Sequence, residues 1–160
     1  MKSDILAELY AEYHNHALLY VYSLCKSPEL AEDIVGTAFF KALSTADNKL
    51  SNFKPWLFTV CRNEYYSHFR KHKRHPQTEL NEDSAIDRED IPDRIIKNEQ
   101  YRALYRAISL IPDEQREVIV LFYFSGLSIK EISHSIGKTE SNTKVLLHRA
   151  RKSLKNILEV

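Results

Sequence analysis

From Ser3 to about Leu24 the apolar residues Ile5, Leu9, Tyr13, Leu19 and Tyr20 return at roughly helical spacing, which predicts one long helix with an inward face. Ser27 and Pro28 then supply a cap and a first-turn proline for a second helix, SPELAEDIVGTAFFKALS. On it Leu30, Ile34, Ala38 and Ala42 line one stripe, and Glu29, Glu32 and Asp33 stand near the start, where the helix dipole favours acids. A polar loop, TADNKLSN, leads to WLFTVCRNEYYSHFRKHKRH. On a helical wheel Leu57, Val60, Cys61, Tyr65 and His68 of this third segment fall in one arc, assigned to the core. Arg62, Tyr66, Arg70 and Lys73 lie opposite, at spacings of four, four and three.

Four helices are predicted in the second half. RIIKNEQYRALYRAISLI turns Ile95, Leu104, Ile108 and Ile111 inward, and PDEQREVIVLFYFSGL follows a proline and two acids. The apolar run from Val118 to Phe124 fits a buried strand on composition, but the helix signals around it make helix the expectation. Ser128 with Glu131 three positions on is a capping-box arrangement for a short helix carrying Ile129, Ile132 and Ile136. Small Ser133 faces the partner helix and Gly137 makes a tight turn. Thr139 caps a longer helix whose inner face is Thr143, Leu147, Ala150 and Leu154. Two helices joined by a short turn with glycine form the helix-turn-helix pattern.

Only three glycines and five prolines in 160 residues, with no strand-like alternation, argue for an all-α chain. The formal net charge of +1 hides a segregation. Residues 62 to 74 hold five Lys/Arg against one Glu, and residues 130 to 160 hold seven against three. Between them, PQTELNEDSAIDREDIPD has seven acids, one Arg and few large apolar residues, too little to offset the ordering of its backbone. The expected organisation is a three-helix domain over 1–75, an acidic flexible linker over 76–93 and a four-helix domain over 94–160, without internal repeats. No apolar stretch approaches the roughly 18 residues that span a bilayer. The start, Met1-Lys2-Ser3-Asp4, carries an acid where a signal peptide has a basic run, so a soluble, cytoplasmic protein without membrane insertion is expected. Cys25 and Cys61 lack CxxC spacing and read as reduced core thiols.

The chemistry these patterns offer is nucleic-acid binding. An outward stripe that mixes rings with cations suits single strands, because bases stack on rings while cations neutralise phosphates. The same stripe also fits a solvated helix whose rings pack on neighbours and whose cations complement the dipole. On the last helix Ser141, Lys144, Val145 and His148 project where a docked helix-turn-helix meets base edges, and Arg149, Arg151, Lys152 and Lys155 lie along the backbone side. An amphipathic hairpin with a basic surface is the plainer alternative. His68, His72 and His75, at spacings of four and three, could hold a metal, but no carboxylate motif or nucleophile accompanies them and the surrounding cations repel one. His14-Asn15-His16 lacks a nuclease context. No catalytic residue, metal or cofactor is expected.

The whole chain outside the linker resembles a bacterial RNA polymerase sigma factor of the extracytoplasmic-function (ECF) group of the sigma-70 family, which keeps only regions two and four. AEDIVGTAFFKAL resembles the region-two helix that binds the polymerase clamp, and WLFTVCRNEYYSHFRKHKR resembles the helix that melts promoters and reads the minus-ten element. IPDEQREVIVLFYFSGLSIKEIS followed by IGKTESNTKVLLHRARKSL resembles region four. The resemblance implies a sigma factor that binds core RNA polymerase, at the clamp of the largest subunit and the flap of the second, and directs promoter-specific initiation. It implies a clamp face of Ala31, Glu32, Asp33, Phe39 and Ala42. Minus-ten contacts would come from Asn48, Lys49, Ser51 and Asn52 in the loop from Thr45 to Asn52, which receives a flipped base, and from Trp56, Arg62, Asn63, Tyr66, Arg70 and Lys73. Minus-thirty-five contacts would come from Thr139, Ser141, Asn142, Lys144, Val145, His148, Arg149, Arg151 and Lys152. Promoter DNA and an anti-sigma factor are the other implied partners, with the acidic linker running toward the RNA exit path. Gly36, Thr37 and Ala38 replace the family's Gln-Glu-Thr-like run, Glu64, Ser67 and His68 replace residues of other character, and Leu146 stands where an Arg is common, leaving Lys144 as the base contact. A free-standing helix-turn-helix regulator is the alternative, and it leaves the first half of the chain without a task.

Overall fold

The computed structural model describes residues 2–44, 52–74 and 91–159, and within them the chain is helical without a strand. The helices are α1 (Lys2–Cys25), α2 (Pro28–Leu43), α3 (Phe53–Arg74), α4 (Ile91–Ile95), α5 (Glu99–Ile108), α6 (Asp113–Tyr123), α7 (Ile129–Ile136) and α8 (Glu140–Leu158). The all-α expectation holds, and the apolar run from Val118 is α6. The loop residues Asn48, Lys49 and Ser51, together with His75, lie outside the described residues, as does the tether from 76 to 90.

Local signals explain most boundaries. Ser27 accepts a hydrogen bond from the Leu30 amide at the start of α2, with Pro28 in the first turn. Asn98 accepts from the amides of Gln100 and Tyr101 and so starts α5. That cap splits the single helix expected from Arg94 onward into α4 and α5. It also corrects the linker's far end, because Ile91, Pro92 and Asp93 belong to α4. Ile91 and Ile96 are buried, and burying a side chain of that size contributes about 1.5–3 kcal/mol, enough to anchor a short helix.

α1 is the spine. Ala17, Leu18, Leu19, Tyr20 and Val21 are buried in succession, so this stretch is enclosed on every side. α2 and α3 from the first half and α4 and α6 from the second half all pack against it. The two halves of the chain therefore share one continuous hydrophobic core. Tyr105 of α5 donates its hydroxyl to the Leu19 carbonyl at 2.5 Å across that boundary. No helix among the described residues is long and apolar enough to cross a membrane.

Candidate nucleic-acid interface

The α7–α8 unit is built as its sequence predicts. Ser128 and Glu131 exchange hydrogen bonds, each 3.0 Å, between side chain and backbone, closing the capping box. Gly137 takes φ 72°, a left-handed conformation that suits glycine, and the Lys138 amide reaches the Ser133 carbonyl at 3.0 Å. Thr139 caps α8 through the Asn142 amide at 3.0 Å. Thr143, Leu147 and Ala150 are buried beneath it.

This fixes which side of α8 faces out. Thr139, Ser141, Asn142, Lys144, Val145, His148, Arg149 and Lys152 are all exposed. Val145 is an unburied apolar side chain among them, suited to a thymine methyl. Arg151 is different. Its Nε donates to the Tyr123 hydroxyl at 2.8 Å, and its guanidinium lies over the Phe122 and Tyr123 rings at 5.7 and 5.5 Å. Expected along the DNA-backbone side, it is exposed and at the same time tied to α6, which offers it two rings and an acceptor.

On α3, Leu57 and Cys61 are buried as expected, while Val60, Tyr65 and His68 are only half-buried. Phe58, absent from the expected core arc, is completely buried against Tyr20, with ring centroids 5.7 Å apart. The missing part of the reading is a second neighbour, since α3 is covered on two sides. That also displaces the expected outward stripe. Arg62 points into the boundary with α6, where its Nε donates to Glu117 Oε2 at 2.6 Å and its guanidinium sits 4.7 Å from the Tyr66 ring centre. Burial works against the Arg62 charge, but the hydrogen bond and attraction to Glu117 more than offset it and raise the pKa. Asn63, Arg70 and Lys73 are exposed, as is Asn52 before the helix, and Trp56 is half-buried against Phe53. His68 and His72 stack at 5.0 Å.

α2 corrects another expectation. Ala31, Phe39 and Ala42 are buried in the core, because they are the residues that seat α2 on its neighbours. Glu32 and Asp33 remain exposed, and Glu32 accepts a 2.7 Å hydrogen bond from Arg94. The large exposed apolar side chains of this helix are Phe40, at 67%, and Leu43, at 55%, and with Gly36, Leu6, Ala7, Tyr10 and the edge of the mostly buried Phe39 they line an apolar groove. The sequence held a signal for them: Phe39 and Phe40 are adjacent, and two rings about 100° apart on a helix cannot share one core face. A second apolar groove, lined by Leu104, Tyr123, Leu154 and Leu158 among others, lies between α5, α6 and α8.

Among the described residues no three potential ligands gather as a metal site. Cys25 and Cys61 are free. Burial pushes the Cys25 thiol up to about 11 and raises Cys61 further, so neither is a ready nucleophile.

Comparison with known proteins converges on one family. Residues 9–75 match the model of sigma-70 region 2, and residues 101–154 match that of sigma-70 region 4. The ECF RNA polymerase sigma factor SigM of Bacillus subtilis (strain 168) is 33% identical over 153 residues, covering 92% of this chain and 91% of that protein. The RNA polymerase sigma factor YlaC of the same organism is 26% identical over 160 residues, covering 95% and 91%. Among solved structures, the sigma factor RpoE in complex with the anti-sigma factor NepR from Bartonella quintana superposes with a TM-score of 0.66 at 29% identity, covering 96% of this chain and 98% of that one.

Proposed function

The chain belongs to the ECF group of the sigma-70 family and directs transcription initiation by RNA polymerase, and from that premise we propose which of its surfaces does what. Region 2, within 1–75, holds core polymerase and the minus-ten element; region 4, within 94–160, reads the minus-thirty-five element. The observation that carries this reading is the exposed front of α8, presented by two caps and a left-handed glycine. Thr139, Ser141, Asn142, Lys144, Val145 and His148 occupy the first turns, which reach deepest into a major groove, while Arg149 and Lys152 meet phosphates as the helix leaves it. Arg151 braces α8 against α6.

In region 2 the melted strand passes along α3. Arg62, Asn63, Arg70 and Lys73 neutralise phosphates, and Trp56 and Tyr66 offer rings for stacking, with the loop ending at Asn52 taking the flipped base. Flipping costs a few kcal/mol, which such contacts offset. The clamp of the largest polymerase subunit docks on the exposed side of α2, where Phe40 and Leu43 supply the apolar anchors and Asp33 and Glu32 the polar rim. The second apolar groove receives the flap of the second subunit. The chain works in the cytoplasm as a binding subunit with no reaction of its own. An anti-sigma factor is a further partner, a reading supported by the structural likeness to RpoE held by NepR.

Replacing Phe40 and Leu43 together by Asp tests the clamp assignment. Co-purification with core polymerase should fall by about 100-fold, as loss of two anchors of about 1.5 kcal/mol each implies, while the fold is kept and the melting temperature falls by only a few degrees, about what two acids in the last turn of α2 cost. Undiminished co-purification would remove α2 from the interface.

A further inference from the structure

Away from the surfaces assigned to DNA and polymerase, the end of α1 meets α4, α5 and α6 around a cavity of about 250 Å³. Its inner wall is apolar, formed by Tyr105, Ile108 and Val120, all buried. Burial raises the Tyr105 phenol well above its usual pKa, and its hydroxyl already donates to the Leu19 carbonyl, so Tyr105 brings no charge to the wall. An apolar cavity of about 150 Å³ holds a benzene molecule, so this one has room for a ring and a short polar arm.

The polar side of the cavity is cationic. Lys26, Arg106 and Arg116 line it, and no Asp or Glu stands among its lining residues. Arg116 is buried and fixed, donating to the Ile111 carbonyl at 3.1 Å and to Asp113 at 2.5 Å. Arg106 is exposed and donates to Asp93 at 2.6 Å. Each arginine thus has an acid beside it outside the cavity, and the charge of exposed Lys26 remains to be matched, which suits a carboxylate monoanion over a phosphate dianion.

The backbone at Lys26 supports a task for its side chain. Among the described residues it is the non-glycine residue with a positive φ, 57°, and its amide reaches the Tyr22 carbonyl at 2.8 Å past the last turn of α1. Glycine ends a helix in this conformation with less strain, as Gly137 does after α7. Backbone geometry therefore does not select a lysine at this position, whereas the cationic mouth does.

We propose that this cavity binds a small aromatic carboxylate, with the ring against Ile108 and Val120 and the carboxylate at Lys26 and Arg106. The site goes beyond the sigma-factor reading and does not depend on it.

Thermal unfolding of the full chain with sodium phenylacetate tests it. A ligand of this size should bind with a Kd of about 1 mM. Phenylacetate at about 10 mM should then raise the unfolding midpoint by about 4 °C through mass action. Acetate, which lacks the ring, and 2-phenylethanol, which lacks the charge, should each give less than about half that shift. On titration the methyl resonances of Ile108 and Val120 should move. Lys26→Gly should melt no lower than wild type without the probe, because glycine takes the left-handed conformation freely, yet lose at least about tenfold in phenylacetate affinity. Kept stability with lost binding is a pairing that a purely structural lysine does not give. Arg106→Gln should weaken binding by a similar factor. No rise with phenylacetate, a rise matched by acetate or 2-phenylethanol, or undiminished affinity in Lys26→Gly and Arg106→Gln would overturn the proposal. No polymerase or DNA takes part, so none of these outcomes bears on the sigma-factor reading.

Discussion

The front of α8 and the outer side of α3 are written in similar residues, cations beside rings and small polar groups, and they meet opposite surroundings. Lys144 and Arg149 stand in solvent, whereas Arg62 is gripped by a buried acid from the other half of the chain. Exposure of α8 follows from signals within about 30 residues of it: two caps, one glycine and a buried inner face. Coverage of α3 depends on Glu117, 55 positions away along the chain. A helical wheel tells which residues share a face, and only the fold tells whether that face is free.

Charge removal on α3 should separate the covered cation from the free ones. Arg62→Ala leaves Glu117 buried with Tyr20 as its remaining donor, an uncompensated charge that costs about 2–3 kcal/mol. The midpoint of thermal unfolding should fall by roughly 5–10 °C. Arg70→Ala, at an exposed position, should stay within about 0.5 kcal/mol of wild type. Equal shifts for the two would erase the contrast between the surfaces.

On α8 the expected differences are of kind as well as size. Lys144→Ala should change base preference in the minus-thirty-five element by about 1–3 kcal/mol, whereas Arg149→Ala should weaken all sequences alike and lower the salt dependence by about one unit of slope. A promoter library read at two salt concentrations distinguishes them. Uniform loss for Lys144 with altered preference for Arg149 would mean that the helix docks the other way round.

Two glycines probe how far local rules reach. Nothing lies within 4 Å of a methyl group added at either Gly36 or Gly137, so backbone conformation alone decides the outcome. Gly137→Ala forces a side chain into φ 72° and should cost about 1 kcal/mol. Gly36→Ala, inside α2, should add up to about 1 kcal/mol of stability. Denaturant midpoints of the same sign for both would contradict the assignment of Gly137 as the turn.

The smallest expected effect is at His14, which stacks on Tyr10 at 4.3 Å. Burial, the largest influence, lowers its pKa, against attraction from Glu32 and a hydrogen bond that the ring donates to Asn15 and with slight help from Arg94. A histidine whose folded pKa is depressed contributes stability that is present above its ordinary range and lost as pH falls through the folded value. Urea midpoints at pH 7.5 and 5.5 should therefore differ slightly more for wild type than for His14→Gln. An identical difference would show that the imidazole does not take part.

These cases mark where the sequence was legible. The helical features from the Ser27 cap to the Gly137 turn and the inner face of α8 are local and could be read directly. The Asn98 cap was equally local, yet the apolar spacing on either side of it suggested one continuous helix. For Phe58, which the helical wheel left unplaced, and for Arg62 and Phe39, which were expected to face partners outside the chain, the reason is different. Each is decided by a neighbour remote in sequence, α1 for Phe58, α6 for Arg62 and the α1–α3 floor for Phe39, and periodicity within one helix carries no information about how many neighbours it has. Phe40 and Leu43 became visible as surface anchors only once α2 was seated.

Reconstitution with purified core polymerase on genomic DNA, with transcript starts mapped, tests the central claim most directly. Discrete start sites should appear that need this chain, share one pair of elements about 25 base pairs apart, and disappear with the Phe40→Asp/Leu43→Asp variant. The same starts from core polymerase alone, or none with the chain present, would contradict it.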